Sequence, residues 1–372
     1  MTSIKKNTPK RANLFKNITL FHTIIIVFIC ICSFSTRNYY NFNGLGVKAH
    51  PYNLEIPKNF PEVKIPKDNP LTIEGVNLGR ELFYEPMLSA NNKMSCGTCH
   101  QQKFAFVDST RSVSIGIDGL PGKRNTLSVF NLAWIDKDLF WDGRSKDLES
   151  QVIEPIQNPK EMHQSLSNTI SKLQSNKHYS RLFKKAFGSS TITIKMVQNA
   201  IAQFERTIIS SNSRYDKFRR NEEGGYLTTE EKDGLNLFIN DTKGNCATCH
   251  TLNTEFNDKL FHNIGLDSIT QDSGRVIVLN ANYSLGKFRT PNLRNVELTA
   301  PYMHDGRFQT LYQVLDHYDL EFKRSIYLDK KISKRRKGNL SKEEKEKIIL
   351  FLKTLTDYDL INNPKYSNPH KN

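Results

Sequence analysis

The sequence has six cysteines in 372 residues, too few for a disulfide-dense scaffold. It has no acidic residue before Glu55, and only two tryptophans. Strand-like alternation is scarce, and Val276 to Leu279 reads as one short strand. Apolar residues make up 37% and charged residues 24%, which excludes a disordered or fibrous chain. The net charge of +15 comes with no nucleic-acid-binding motif, so it does not argue for that class of partner. The length suggests about two domains.

Two of the cysteines, Cys30 and Cys32, lie in an apolar run from Ile18 to Phe34. Lys5, Lys6, Lys10, Arg11 and Lys16 precede that run. A basic stretch followed by an apolar one reads as an export signal, and Ser33-Phe34-Ser35 offers a small-x-small cleavage triplet. The rival reading is an uncleaved anchor, because the run is near the spanning minimum of about 17 residues. Residues 1–36 are therefore expected to be a signal peptide or N-terminal anchor of a periplasmic protein, with a membrane tether through residues 18–34 in the second case. Those five cations account for five of the +15, leaving +10 for the rest. Part of that excess is Lys330, Lys331, Lys334, Arg335, Arg336 and Lys337. The ordinary reading is a solvated basic loop, and the sharper one is a docking patch for an acidic redox partner.

The other four cysteines repeat one pattern: Cys96-Gly-Thr-Cys99-His100 and Cys246-Ala-Thr-Cys249-His250. For this composition, chance supplies about 0.003 occurrences of Cys-x-x-Cys-His. Two thiols one helical turn apart can add to the two vinyl groups of a haem, and the adjacent imidazole then reaches the iron. Zinc pairs stand closer in sequence, and a thioredoxin-like pair needs a βαβ context that is missing here. Both motifs therefore imply covalently bound haem c, with His100 and His250 as the proximal iron ligands.

The chain echoes itself around these motifs. A Pro-rich arm, residues 51–70, shows no helical period. Leu71-Thr72 then opens a segment ending at Leu82-Phe83 before the first motif, and Leu227-Thr228 opens one ending at Leu237-Phe238 before the second. Thr228 with Glu231, and Ser341 with Glu344, form capping boxes that predict helix starts. Residues 194–209 carry Val197, Ile201, Phe204 and Ile208 at helical spacing. Gly75, Gly79 and Gly234 lower helix propensity, the usual reason being a close contact. The expectation is a mainly α fold of two cytochrome c-like haem domains in tandem, residues 47–211 and 212–358, followed by a tail at 359–372.

Beyond the haem motifs stand Asn69-Pro-Leu-Thr, Leu78-Gly-Arg, Phe140-Trp-Asp-Gly-Arg144, Asn158-Pro-Lys-Glu-Met162, Gln203-Phe-Glu-Arg-Thr207, Phe288-Arg-Thr-Pro-Asn-Leu-Arg-Asn295 and Leu298-Thr-Ala-Pro-Tyr-Met-His-Asp-Gly306. In this set the chain resembles the bacterial di-haem cytochrome c peroxidase / MauG family, over about residues 55–358. The resemblance implies that Glu161 moves the peroxide proton, that Gln151 and Pro155 flank it, and that Trp141 relays electrons between haems. It also implies a sixth ligand to the second haem at Tyr318, where standard peroxidases of the family carry Met. The alternative is Met303, the one methionine after His250, or a neighbouring His among His262, His304 and His317. A calcium ion held by Asn125, Thr299 and Pro301 is a further implication. Between Gln101 and Phe140 there is no His and no Met, only the usually solvated Lys103, Lys123 and Lys137 as nitrogen donors, so the first haem is expected to be open at its sixth position. Many family peroxidases have a detachable His there, so this chain departs toward the MauG-like members.

The resulting expectation is a periplasmic enzyme that reduces hydrogen peroxide with electrons from a small cytochrome or similar donor. One rival is a MauG-like oxidase of a protein side chain. A second rival is a non-catalytic electron-transfer cytochrome, which would need both irons six-coordinate.

Overall fold

The computed structural model describes residues 48–135 and 137–371, together with the backbone of residues 40 and 41. The expected export segment, its cleavage triplet, Cys30 and Cys32 lie outside the described residues. Among the described residues, no helix is long and apolar enough to cross a membrane.

The fold is mainly helical. Its principal helices are α1 (Ile73–Phe83), α2 (Cys96–Cys99), α3 (Lys177–Phe187), α4 (Ile194–Thr207), α5 (Thr229–Ile239), α6 (Leu311–Asp316), α7 (Lys330–Ser333), α8 (Lys342–Lys353) and α9 (Tyr358–Asn362). Two short antiparallel ribbons accompany them: β1 (Tyr40–Asn41) with β2 (Lys48–Ala49), and β3 (Phe261–His262) with β4 (Phe288–Arg289).

The echo in the sequence is an echo in space. Thr72 caps α1 by accepting from the Gly75 N–H, and Thr228 caps α5 in a full capping box with Glu231. Such a cap is worth about 1 kcal/mol. α1 packs on α4 in the first half, and α5 packs on α8 in the second. Both crossings turn on a glycine. A Cβ on Gly79 would sit 1.9 Å from the Ala200 carbonyl oxygen, and one on Gly234 would sit 1.9 Å from that of Lys347. Only a residue without a side chain lets these backbones meet, which outweighs its helix-propensity cost of about 1 kcal/mol.

Each helix pair anchors its own apolar core. The first contains Leu78, Leu82, Phe83, Phe106, Ile156, Phe183 and Phe204, and the second contains Tyr215, Phe238, Phe256, Ile348, Phe351 and Leu355. Buried ion pairs tie separate segments together. Arg206 grips Glu149 with two bonds of 2.7 and 2.9 Å, and Arg294 grips Asp216 with two of 2.6 and 2.8 Å. Asn69, Thr72 and Gln203 close the first network: Gln203 donates to Asn69 at 2.9 Å and accepts from the Thr72 N–H at 3.0 Å.

The Pro-rich arm lies across both halves. Phe60 packs edge-on against Trp134 and beneath the Arg294 guanidinium. The segment expected as a tail closes back on the first core, where Leu360 is buried and Arg80 donates to the Ser367 and Pro364 carbonyls at 2.8 Å each. Residues 210–212 are gathered by one carboxylate, since Asp357 accepts from the Ser210 hydroxyl and from the Ser211 and Asn212 N–H groups.

One expectation is corrected. Val276–Leu279 is a single helical turn, ended by Asn280 in the left-handed region. Ile277, Val278 and Leu279 are all exposed, so no alternation of faces drives them into a sheet.

Candidate functional site

The two Cys-x-x-Cys-His segments end in the same local geometry. α2 carries Cys96 and Cys99 on one turn, and Cys246–Thr248 form a 3-10 turn. The four cysteines in the described residues form no disulfide. Burial pushes the Cys96 thiol up and that of Cys246 to about 11, so neither behaves as the low-pKa thiolate of a redox pair.

Both histidines are held by a carbonyl six residues on. His100 Nδ1 bonds the Phe106 oxygen at 3.0 Å, and His250 Nδ1 bonds the Phe256 oxygen at 2.9 Å. A carbonyl can only accept, so each Nδ1 carries the proton and the lone pair lies on Nε2. Such an outer hydrogen bond fixes the tautomer and orientation of a metal-binding imidazole. Burial lowers both rings, His250 to about 4, which keeps them in the neutral ligating form.

A cavity opens in front of each histidine, with about 1770 Å³ of empty space by His100 and about 1580 Å³ by His250, open mouths included. Each chamber is lined mainly by apolar surface, as a tetrapyrrole requires. Free paired thiols, an oriented imidazole and a mostly apolar chamber together fit haem at each motif.

The cavity by His100 gathers Trp141, Gln151 and Glu161. Among the described residues, His100 is the only histidine lining it, and no methionine or tyrosine does so. Glu161 follows the short loop after Gln157. Asn158 donates to its Oε1 at 2.7 Å, and the Ile117 N–H donates to its main-chain oxygen at 2.9 Å. Burial pushes the Glu161 carboxyl up, against weaker opposing effects of Asn158 and Arg144. A carboxyl raised toward neutrality is suited to accept and return a proton.

Trp141 and Asn125 line both cavities, as do Arg289 and Pro291, so they form a shared wall. The indole N–H donates to the Asn125 carbonyl at 2.8 Å, and the Asn125 N–H donates to the His304 carbonyl at 2.8 Å. The next residue after Trp141, Asp142, is paired to Arg124 at 2.6 Å. Arg124 also holds Asp272 through two bonds of 2.7 and 2.8 Å. Sequence reasoning missed Arg124, which stands in no motif; its one signal is the place next to Asn125.

The cavity by His250 gathers Tyr318, Met303, His304 and His262. Tyr318 stands in a π-helical turn, His317–Glu321, that continues α6. Such turns recur at functional sites because they re-aim a side chain. Asp319 locks the turn, accepting from the Asn339 N–H at 2.8 Å and pairing with Lys345 of α8 at 2.8 Å. Burial raises the Tyr318 phenol. Two rival donors are already engaged. His317 Nε2 bonds the Ile264 carbonyl at 3.0 Å, and His262 is held on both nitrogens, by Asp258 at 2.9 Å and Asp329 at 2.7 Å. Against the effect of burial, Asp258, the Cys249 sulfur and Asp329 together raise His262 to about 10. Asn125, Thr299 and Pro301 all line this cavity, with no carboxylate among the residues lining it.

Comparison with known proteins agrees with this arrangement. The family model described as di-haem cytochrome c peroxidase matches residues 73–224. A methylamine utilization protein MauG of Methylorubrum extorquens is 37% identical over 305 residues, 80% of this chain and 82% of its own. A cytochrome c551 peroxidase of Nitrosomonas europaea is 34% identical over 303 residues, 80% of this chain and 84% of its own. A crystal structure of a MauG-like protein associated with microbial copper homeostasis superposes with a TM-score of 0.79 at 33% identity, covering 86% of this chain and 99% of that one. Carrying these relatives, both haem motifs and the two chambers behind them, the chain belongs to the di-haem cytochrome c peroxidase / MauG family.

Proposed function

We propose that this protein is an exported, periplasmic di-haem c peroxidase built of two tandem cytochrome c-like domains, residues 47–211 and 212–358. Hydrogen peroxide takes up two electrons and two protons and leaves as two waters. Haem iron held by His100 supplies the redox chemistry that breaks the O–O bond. Glu161 takes the proton from the near oxygen and delivers it to the far one. Asn158 orients its carboxylate, and Gln151 offers a second polar group in the same chamber. Trp141, in the wall common to both chambers, carries electrons from the His250 side. A small cytochrome or similar carrier replaces them, one at a time.

In this reading Tyr318, rather than Met303, would hold the iron of the second haem in the cavity that both line with His250. A phenolate is a hard anionic donor that favours ferric iron. Asn125, Thr299 and Pro301 offer neutral oxygens for a calcium ion, with water completing its shell.

The observation that carries the reading is the pairing of a half-buried Glu161, its carboxyl pushed up, with a chamber where, among the described residues, His100 is the only His and no Met competes. The same observation, with Tyr318 in the other chamber, also favours a MauG-like oxidase of a protein side chain. Peroxide turnover with a reduced small donor, run without prior reduction of the enzyme, tests the first reading. Sustained turnover supports it. Peroxide consumption that stops after one equivalent, with the oxidising power retained, moves the assignment to the oxidase. Two low-spin ferric signals in electron paramagnetic resonance would reject both and leave a six-coordinate electron-transfer cytochrome.

A further inference from the structure

The His250 chamber is roofed by a basic face that the chemistry above does not use. Lys323, Arg324, Lys330, Lys334, Arg336 and Lys337 are all exposed there, and Glu321 is the one exposed acid of residues 321–337. Ile326, 90% exposed, lies within this charged segment. An apolar contact inside a basic rim is the pattern of a transient protein interface.

The face is firmly joined to what lies beneath it. Phe322, Leu328 and Ile332 form a small buried cluster, and Tyr318 packs against it. The Lys337 ammonium sits 4.7 Å over the Phe322 ring. Two cations of the same run turn inward: Lys331 donates to the Thr248 carbonyl at 3.0 Å, inside the second Cys-x-x-Cys-His, and Arg335 donates to the Gly244 carbonyl just before it. Asp329 caps α7 and also binds His262, which touches Asp258, which Lys331 binds at 3.1 Å. The outward charges therefore ride on the segment whose inward cations bond the second Cys-x-x-Cys-His loop.

We infer that this face, Lys323 to Lys337, is the docking site of an acidic one-electron carrier protein that feeds the His250 haem. The inference rests on the peroxidase reading for its purpose and deepens it by giving the donor a charge and an entry point. The donor is oxidised by one electron per encounter, and two encounters supply the two electrons that one peroxide consumes. Opposite charge steers the approach and fixes orientation, while the apolar contact at Ile326 excludes water where the carrier sits.

The test is a fourfold charge reversal, Lys330→Glu, Lys334→Glu, Arg336→Glu and Lys337→Glu, in the full-length holoprotein. Lys331 and Arg335 stay, because they hold the attachment loop. Two measurements are made at low ionic strength. The first is the Kd for a reduced acidic single-haem cytochrome and for a basic one. The second is peroxide turnover with that acidic cytochrome and with tetramethylphenylenediamine, a donor that needs no docking.

The expected result is at least a tenfold weaker Kd and tenfold lower kcat/KM for the acidic cytochrome. Turnover with the small donor stays within twofold, and the basic cytochrome binds the variant better than the parent. An unchanged Kd for the acidic cytochrome overturns the inference, while small-donor turnover leaves the peroxidase reading standing. Absence of small-donor turnover in the parent overturns the peroxidase reading alone, and the Kd comparison still decides the docking face. Binding to phosphatidylserine-containing vesicles that the reversal abolishes, with the cytochrome Kd unmoved, identifies the face as a membrane contact and also overturns the inference.

Discussion

Trp141 donates its indole N–H to the Asn125 carbonyl at 2.8 Å, inside the wall that separates the two haem chambers. The Arg289 N–H donates to the Trp141 carbonyl at 2.8 Å, so the residue is held at side chain and main chain alike. Trp141→Phe keeps an aromatic ring and removes the indole and its bond, worth about 1 kcal/mol. If Trp141 relays electrons, peroxide turnover falls at least tenfold while both haem spectra stay unchanged. If it only packs, turnover holds within twofold and the cost shows in Tm alone.

Glu161→Gln keeps the volume and the Asn158 contact but cannot carry a proton. Peroxide-dependent kcat/KM is expected to fall by at least about 100-fold, the usual range for a lost acid–base group. The active form of Glu161 at the start of the cycle is the carboxylate. Burial raises its pKa above the ordinary 4.5, so kcat/KM of the parent should rise with pH through an apparent value above 4.5. The variant's profile should lose that limb. A variant with parental rate and an unaltered profile would remove Glu161 from the mechanism.

Tyr318→Phe deletes the only oxygen of that side chain. The ferric spectrum of the second haem should change its ligand-field features, and its reduction potential should rise, because a hard anionic donor is gone. An unchanged spectrum sends the assignment to Met303 or His304, which line the same cavity.

Local signals carried the helical frame. Thr228 with Glu231 and Ser341 with Glu344 mark helix starts in the sequence, and both boxes are formed. The haem motifs mark the two chambers, because that chemistry lies within five consecutive residues. What stayed hidden is long-range. The Arg124 contact to Asp272 joins residues 148 apart, and Asp329 reaches His262 across 67 residues. No periodicity reports such pairs. Val276–Leu279 misled for a different reason: β-branched residues favour strands only where a partner strand covers them, and this turn has none. The return of Leu360 and Tyr366 to the first core was equally silent, since a short apolar pair near a C-terminus has no pattern to read.

Gly79→Ala and Gly234→Ala test the two helix crossings. In each, the new methyl would meet a backbone carbonyl at 1.9 Å, and backbone cannot swing aside as a side chain can. Each is expected to lower unfolding free energy by about 3 kcal/mol, the upper part of the overpacking range. Gly122→Ala serves as control, because its Cβ would meet no protein atom nearer than 3.4 Å, and haem spectra of the variant check that the chamber it lines is undisturbed. Denaturant melts of the holoprotein should leave that control within about 1 kcal/mol of the parent. Equal stability of all three variants would mean that the helices are not in the close contact described.

Glu205 lies on α4, 3% exposed, and its Oε2 has no hydrogen-bond partner. Burial raises its carboxyl from 4.5 to about 8, only partly opposed by Arg206. The folded protein therefore keeps this proton to higher pH than the unfolded chain does. The unfolded state binds fewer protons between 4.5 and about 8, so stability falls as pH rises through that window. The slope from this group is at most about 1.4 kcal/mol per pH unit. Glu205→Gln has no charge to bury, and its stability should be flatter across the same window, with the gain over the parent largest near pH 8. Denaturant unfolding at pH 5, 6.5 and 8 reads the difference. Parallel curves for parent and variant would show that Glu205 is ionised in the folded protein and held by a partner.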